Sequence, residues 1–325
     1  MSSIHSVYTR PLIQEYLLLI EERMRAQVSP EHLPDLRQAL DHLLAAGGKR
    51  IRPTLIVLLG TMLGAPQEKI VTLGAAVEML HTATLVHDDL IDGALLRRGM
   101  PTLNAHWSPA ATVLTGDYLF ACAAHLAAEI DSLEIMRAFA ETLAVIVNGE
   151  LTQLFEGRGV RDREHYYRRI YAKTASLFEM STRGAALISP VERAEIEHLA
   201  RMGYHIGMAF QIMDDILDFT GEQATLGKPI GSDLRQGLIT LPALYYIESH
   251  PHDPYVHALL SGQWHNEAVA NSLIESIRQS EALAQAQAEA QQYALQALQI
   301  LHQFSPSSER QAVEELIRFV VERRS

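Results

Sequence analysis

Residues 67–92 read QEKIVTLGAAVEMLHTATLVHDDLID. From Ile70 to Val86 apolar side chains fall on more than one face of a helix, so this segment belongs in the middle of a packed body. It closes on Asp88, Asp89 and Asp92. Residues 201–219, RMGYHIGMAFQIMDDILDF, repeat the plan and close on Asp214, Asp215 and Asp218. Carboxylates at the ends of apolar helices are costly unless something cationic is bound there. Around these two helices, Ala, Leu, Glu, Gln and Arg recur with helical spacing and strand signals are almost absent. The spacing predicts helices over 12–28, 34–46, 53–64, 67–92, 105–129, 131–156, 162–186, 190–220, 239–249, 266–302 and 308–323. Breakers separate them, such as Gly47-Gly48, Gly99-Met100-Pro101 and Gly227-Lys228-Pro229-Ile230-Gly231. Connections are short, with no linker and no repeat of fixed period. The expected fold is all-α, with one helical domain spanning 1–325.

The 325 residues include 27 Lys+Arg and 39 Asp+Glu, a formal charge of −12, with 48% hydrophobic and 20% charged residues. That balance excludes extended disorder and argues against a general nucleic-acid binder. It leaves room for a locally basic pocket. The single cysteine, Cys122, rules out an internal disulfide framework and a thiolate zinc site. The N-terminus lacks a signal-peptide core, and no run of about 18 apolar residues is unbroken, so no integral membrane segment is expected. The expected location is cytoplasmic, with any membrane contact peripheral.

Both acidic clusters read D-D-x-x-D. Positions four apart on a helix differ by roughly 40°, so Asp88 and Asp92 share a face, as do Asp214 and Asp218. Taken singly, such a cluster is most simply a solvated acidic helix end. Two copies on apolar helices point instead to hard divalent cations. Mg²⁺ takes one or two carboxylates together with phosphate oxygens and water. Basic groups answer them. Gly47-Gly48-Lys49-Arg50-Ile51-Arg52-Pro53 opens a helix, where close backbone approach, free N–H groups, Lys49 and Arg52 suit an anion. Arg97 and Arg98 follow Asp92 closely, as diphosphate contacts or as ion-pair partners of the aspartates.

In order and spacing, G-G-K-R-x-R-P, D-D-x-x-D-x-x-x-x-R-R-G, F-Q-x-x-D-D-x-x-D and G-K-P-x-G-x-D-L resemble the trans-isoprenyl diphosphate synthases, the polyprenyl synthetases, from about residue 35 to 245. The resemblance implies a single large helical bundle around a central cavity. It also implies an enzyme condensing isopentenyl diphosphate with an allylic prenyl diphosphate, and a cluster of about three Mg²⁺ ions. By similarity, Asp88, Asp92 and Asp214 are the principal metal ligands, with Asp89, Asp215 and Asp218 direct or water-mediated partners. Arg97, Lys173 and Lys228 match positions that grip the allylic diphosphate. Lys49, Arg52, His81 and Arg98 match those that bind isopentenyl diphosphate. Thr174 and Gln211 match oxygen-bearing groups that stabilise the developing cation. On residues alone, His81 reads as an ordinary core histidine. It stands seven positions before Asp88 and so shares its face. Where the family often has a lysine after D-L-x-x-G, Leu238 stands here, and one basic contact is lost or supplied by Arg235.

Ala83 and Thr84, one turn before Asp88, match the floor that sets product length, where bulky aromatics stop elongation early. Both are small, which predicts a product longer than twenty carbons, with a geranylgeranyl or farnesyl product as the alternative. A homodimer is expected from the resemblance. A class I terpene cyclase shares D-D-x-x-D but needs no second diphosphate loop. A regulatory subunit of a heteromeric synthase tends to lose the aspartates or basic residues kept here.

Overall fold

The structure, a computed structural model, describes residues 3–29, 31, 33–97, 99–155, 162–221 and 229–323. Almost all the regular structure in these residues is helical, as expected. Contacts divide the chain into two compact units: Met1–Thr142 with Leu177–Arg201 and Leu301–Leu316, and Leu143–Ser176 with Met202–Ile300 and Ile317–Ser325.

In the first unit the helices are α1 (Ser3–Tyr8), α2 (Pro11–Arg25), α3 (Pro34–Ala45), α4 (Ile51–Met62), α5 (Gln67–Ile91) and α6 (Pro109–Glu129). Their starts follow local chemistry. Ser108 Oγ accepts from the Ala111 N–H and Pro109 occupies the first turn, so α6 begins at Pro109 rather than near 105. α5 packs along α6 and also against α4 and α2. Its Ile70, Leu73, Val77, Leu80 and Val86 are buried, as are Leu55–Leu59 of α4. α5 and α6 are long and apolar enough to cross a membrane by length and composition, and 72% of the most apolar stretch of α5 is buried inside the protein. α5 ends in a Schellman turn. The Gly93 N–H bonds Leu90 O at 3.2 Å and the Ala94 N–H bonds Asp89 O at 2.8 Å, with Gly93 at φ +64°. That turn stops the helix with Asp92 as its last capping residue. A two-residue hairpin follows, Leu96–Arg97 paired antiparallel with Met100–Pro101.

The second unit is built on α8 (Arg163–Ile170), a π-helical turn Tyr171–Ala175, and the C-terminal part of α10 (Arg193–Thr220). Met208, Ile212, Met213, Ile216 and Phe219 of α10 form its core with Tyr166, Ile170, Leu241, Leu244 and Ile277. Two connecting helices, α7 (Leu133–Phe155) and α9 (Ser176–Leu187), have residues at the unit boundaries. The expected helix 266–302 is two helices, Glu267–Gln279 and Ala282–Leu301. Ser280 is extended (φ −94°, ψ 175°), and its hydroxyl accepts from the Ala282 N–H at 3.2 Å, which breaks the run.

Candidate active site

In the first unit, burial along α5 marks one less-covered stripe. His81, Thr84, Leu85 and Asp88 are half-buried, whereas Leu80, Thr82, Ala83, Val86 and Asp89 are buried. The stripe follows the i, i+3, i+4, i+7 face and leads to the first aspartate motif. Of the two small residues of the expected floor, Thr84 lies on the stripe and Ala83 is fully buried. The three aspartates differ. Asp92 is exposed and Asp88 half-buried. Asp89 is buried, and both its oxygens accept from Arg97 Nε at 2.9 and 3.0 Å, with Arg97 Nη2 at 2.8 Å from Oδ1. This multiply bonded pair is charge-assisted and directional. Arg97 is thus an ion-pair partner of the motif. That is compatible with a diphosphate contact, because a guanidinium has five donors.

The basic loop is anchored by Arg50, the one basic residue of its motif to which the sequence gives no role. Arg50 sits in the left-handed region (φ 43°) at the head of α4. It donates to the buried Glu78 of α5 at 2.6 Å, to Glu21 at 3.4 Å and to Leu44 O at 3.2 Å. The Lys49 carbonyl accepts from the Tyr8 hydroxyl. Lys49 is exposed, and the Arg52 guanidinium lies 4.5 Å over the Phe178 ring, a cation–π contact. A single acid inside an apolar helix was the available sign that Glu78 needed a cationic partner.

In the second unit, Asp214 is the accessible member, with 41% of its side chain exposed and Arg323 Nη2 2.7 Å from Oδ1. Arg323 lies over the Phe210 ring at 4.0 Å and donates to Phe210 O at 2.6 Å. Asp215 is buried and accepts from Gln211 Nε2 at 2.9 Å and from the Tyr166 hydroxyl at 2.8 Å. Burial pushes its carboxyl up to about 7, assisted by the nearby Asp233 and opposed by the Gln211 hydrogen bond. Burial and Asp215 push the Tyr166 phenol well above its ordinary range. Asp218 is buried and braces the following turn, accepting from Ser232 Oγ at 2.8 Å and the Asp233 N–H at 3.2 Å.

Lys173 and Thr174 stand in the π turn, a distortion that frequently marks functional sites and that side-chain periodicity does not reveal. Lys173 pairs with Glu150 at 2.9 Å, and Thr174 Oγ1 donates to Gln211 Oε1 at 2.6 Å. A Cβ on Gly149 would lie 2.5 Å from Ala172 Cβ, so glycine there lets α7 pack against the turn. Arg98 and Lys228 lie outside the described residues.

Each motif therefore keeps its middle aspartate in protein hydrogen bonds and leaves a leading aspartate more accessible. The donors are all carboxylate oxygens, which suits a hard cation. Among the described residues no three His, Cys, Asp or Glu side chains converge to hold an ion unaided.

The sequence profile of polyprenyl synthetases matches residues 33–277. The chain belongs to the polyprenyl synthetase family. It is an enzyme, a trans-prenyltransferase, of a class that generally uses Mg²⁺. It is 38% identical over 302 residues to nonaprenyl diphosphate synthase of Mycobacterium tuberculosis, covering 89% of each chain. It is 36% identical over 314 residues to heptaprenyl diphosphate synthase component 2 of Geobacillus stearothermophilus, covering 96% of this chain and 97% of that one. Among solved structures, polyprenyl synthase of Caulobacter crescentus, complexed with calcium and isoprenyl diphosphate, superimposes with a TM-score of 0.90 at 35% identity, covering 100% of this chain and 99% of that one. The polyprenyl synthetase fold expected from the motifs is thus the fold found.

Proposed function

We propose that this polyprenyl synthetase adds isopentenyl diphosphate repeatedly to an allylic prenyl diphosphate, giving an all-trans product longer than twenty carbons, with the whole chain acting as one catalytic domain. The observation that carries the reading is the division within each motif: Asp88, Asp92 and Asp214 keep exposed side-chain surface, Asp214 beside Arg323, while Asp89 and Asp215 are buried in protein hydrogen bonds. Asp88, Asp92 and Asp214 would hold the Mg²⁺ ions, about three by family resemblance, and bound metal would supply Lewis-acid charge to the leaving diphosphate. Asp218 acts through the turn it braces. Arg97, Lys173 and Lys228 hold the leaving diphosphate; Lys49, Arg52, His81 and Arg98 hold isopentenyl diphosphate. The oxygens of Thr174 and Gln211 face the cation formed as the allylic C–O bond breaks. The double bond of isopentenyl diphosphate then attacks the allylic carbon. The proton lost afterwards passes to the released diphosphate.

Product length follows from Thr84, which is small and stands on the half-buried stripe below Asp88. The names of the nonaprenyl and heptaprenyl relatives support a long product. So long a tail is handed on at a membrane surface by a cytoplasmic homodimer that touches the bilayer only peripherally. The purified chain, with isopentenyl diphosphate, farnesyl diphosphate and Mg²⁺, is expected to make products beyond twenty carbons by mass spectrometry. Termination at fifteen or twenty carbons in excess isopentenyl diphosphate would refute the length assignment. The relative named as component 2 favours a second reading, in which this chain is one component of a two-chain synthase. Turnover by the chain alone separates the two.

A further inference from the structure

Four side chains of the second unit form a continuous hydrogen-bonded series. The Tyr166 hydroxyl donates to Asp215 Oδ2 at 2.8 Å. Asp215 Oδ1 accepts from Gln211 Nε2 at 2.9 Å. Gln211 Oε1 accepts from Thr174 Oγ1 at 2.6 Å. Tyr166, Asp215 and Thr174 are buried, at 2%, 3% and 7% exposure, and Gln211 is half-buried. The series starts on α8, passes through one turn of α10, where residues four apart are neighbours, and ends in the π turn.

We infer that Tyr166 and Asp215 are positioning residues that set the polarity of the cation-facing oxygens. The amide of Gln211 turns its NH₂ toward Asp215 Oδ1, the orientation that an ionised carboxylate, which only accepts, requires. Its carbonyl oxygen then faces Thr174. The Thr174 hydroxyl gives its single proton to that carbonyl, and the lone pairs of Thr174 Oγ1 are left for the other side. With the opposite amide orientation Thr174 would accept from Gln211 and point its proton at the developing cation. The pre-set dipole costs no reorganisation when charge appears. Tyr166 holds the second carboxylate oxygen and so fixes the plane of Asp215. In this role Asp215 is a positioning residue rather than a metal ligand, being buried with a protein donor on each oxygen. The inference rests on the proposed function in one respect, that Thr174 and Gln211 face the reacting carbon.

The test uses the full chain and four variants: Tyr166→Phe, Asp215→Asn, the double variant Gln211→Glu/Asp215→Asn, and Asp214→Ala as the metal-ligand control. Turnover, the Mg²⁺ concentration at half-saturation, and calorimetric affinity for a non-cleavable thio-linked allylic diphosphate are measured on each. Asp215→Asn offers one acceptor where two are needed, and is expected to lower kcat about 100-fold. Its Mg²⁺ half-saturation and analogue affinity should stay within about threefold of wild type. Tyr166→Phe, which keeps the ring, should lower kcat about 10-fold with the same unchanged binding. In the double variant the amide introduced at position 215 donates to the carboxylate introduced at position 211. That carboxylate still accepts from Thr174, so kcat should recover about 10-fold or more over Asp215→Asn. A Mg²⁺ shift in Asp215→Asn as large as that in Asp214→Ala makes Asp215 a ligand and overturns the inference. So does wild-type kcat in Asp215→Asn, or a double variant with no recovery. If Asp214→Ala leaves turnover and Mg²⁺ dependence untouched, the proposed function fails instead.

Discussion

Asp88 and Asp214 stand at the accessible edge of their motifs, half-buried and hydratable. Replacing Asp88 with alanine removes a charge that repels its neighbours in the metal-free protein, so the fold should survive; replacing Asp214 also leaves the buried Arg323 without its partner and should lower the melting temperature while the helices remain. Turnover should fall on the order of a thousandfold, with the circular dichroism spectrum unchanged. The buried Arg50–Glu78 pair bears on stability. Glu78 has 5% of its side chain exposed and Arg50 14%, and removing one partner strands the other in a poorly solvated site. Arg50→Met should destabilise the chain by about 3–5 kcal/mol in denaturant titration. The double variant Arg50→Met/Glu78→Leu should regain most of that. If the single and double variants melt alike, the pair is not what fixes the basic loop.

At the level of elements, the π turn and α5 carry residues to which the proposal assigns the chemistry. The close approach of Gly149 to Ala172 suggests an exchange experiment. Gly149→Ala forces two Cβ atoms to within 2.5 Å unless the turn moves. It should destabilise by about 1–3 kcal/mol and lower kcat, since Lys173 and Thr174 move with the turn. Gly149→Ala/Ala172→Gly restores the space and should restore both quantities, read by thermal melting and steady-state kinetics. On α5, Thr84→Phe places a ring on the half-buried stripe and is expected to shorten the product by one or more five-carbon units without lowering the melting temperature. Ala83→Phe should also shorten it, but Ala83 is fully buried. The added volume there should destabilise by about 1–3 kcal/mol. Product sizing beside melting curves tells the two positions apart.

For the whole molecule, the exposed apolar side chains are instructive. Leu114 is 67% exposed on α6, a helix whose other face is buried core. This is more apolar surface than a solitary helix requires, and it agrees with the homodimer proposed from the family. Sedimentation at micromolar concentration should give twice the 36.2 kDa chain mass. Leu114→Arg should shift the chain toward monomer, because a guanidinium buried without a partner in an apolar interface is costly. A monomeric wild type would defeat that part of the proposal.

The all-α fold, the course of α5 and α10, the two aspartate motifs and the GGKRIRP loop were legible in the sequence, because each rests on periodicity or spacing within one or two helical turns. The errors were local too. The break at Ser280 and the start of α6 depended on side-chain caps that a run of helix-forming residues conceals. Tertiary structure alone decided which carboxylate of each motif is held and which stays accessible. Asp89 is occupied by an arginine eight residues on, from a hairpin. Asp215 is occupied by a tyrosine 49 residues away, and Asp214 is paired with Arg323 in the last described residues. Identical letters in D-D-x-x-D carry no record of these partners. A carboxylate's state is set by burial and by the donors that reach it through space, and only packing brings Tyr166, Arg97 and Arg323 to their acids.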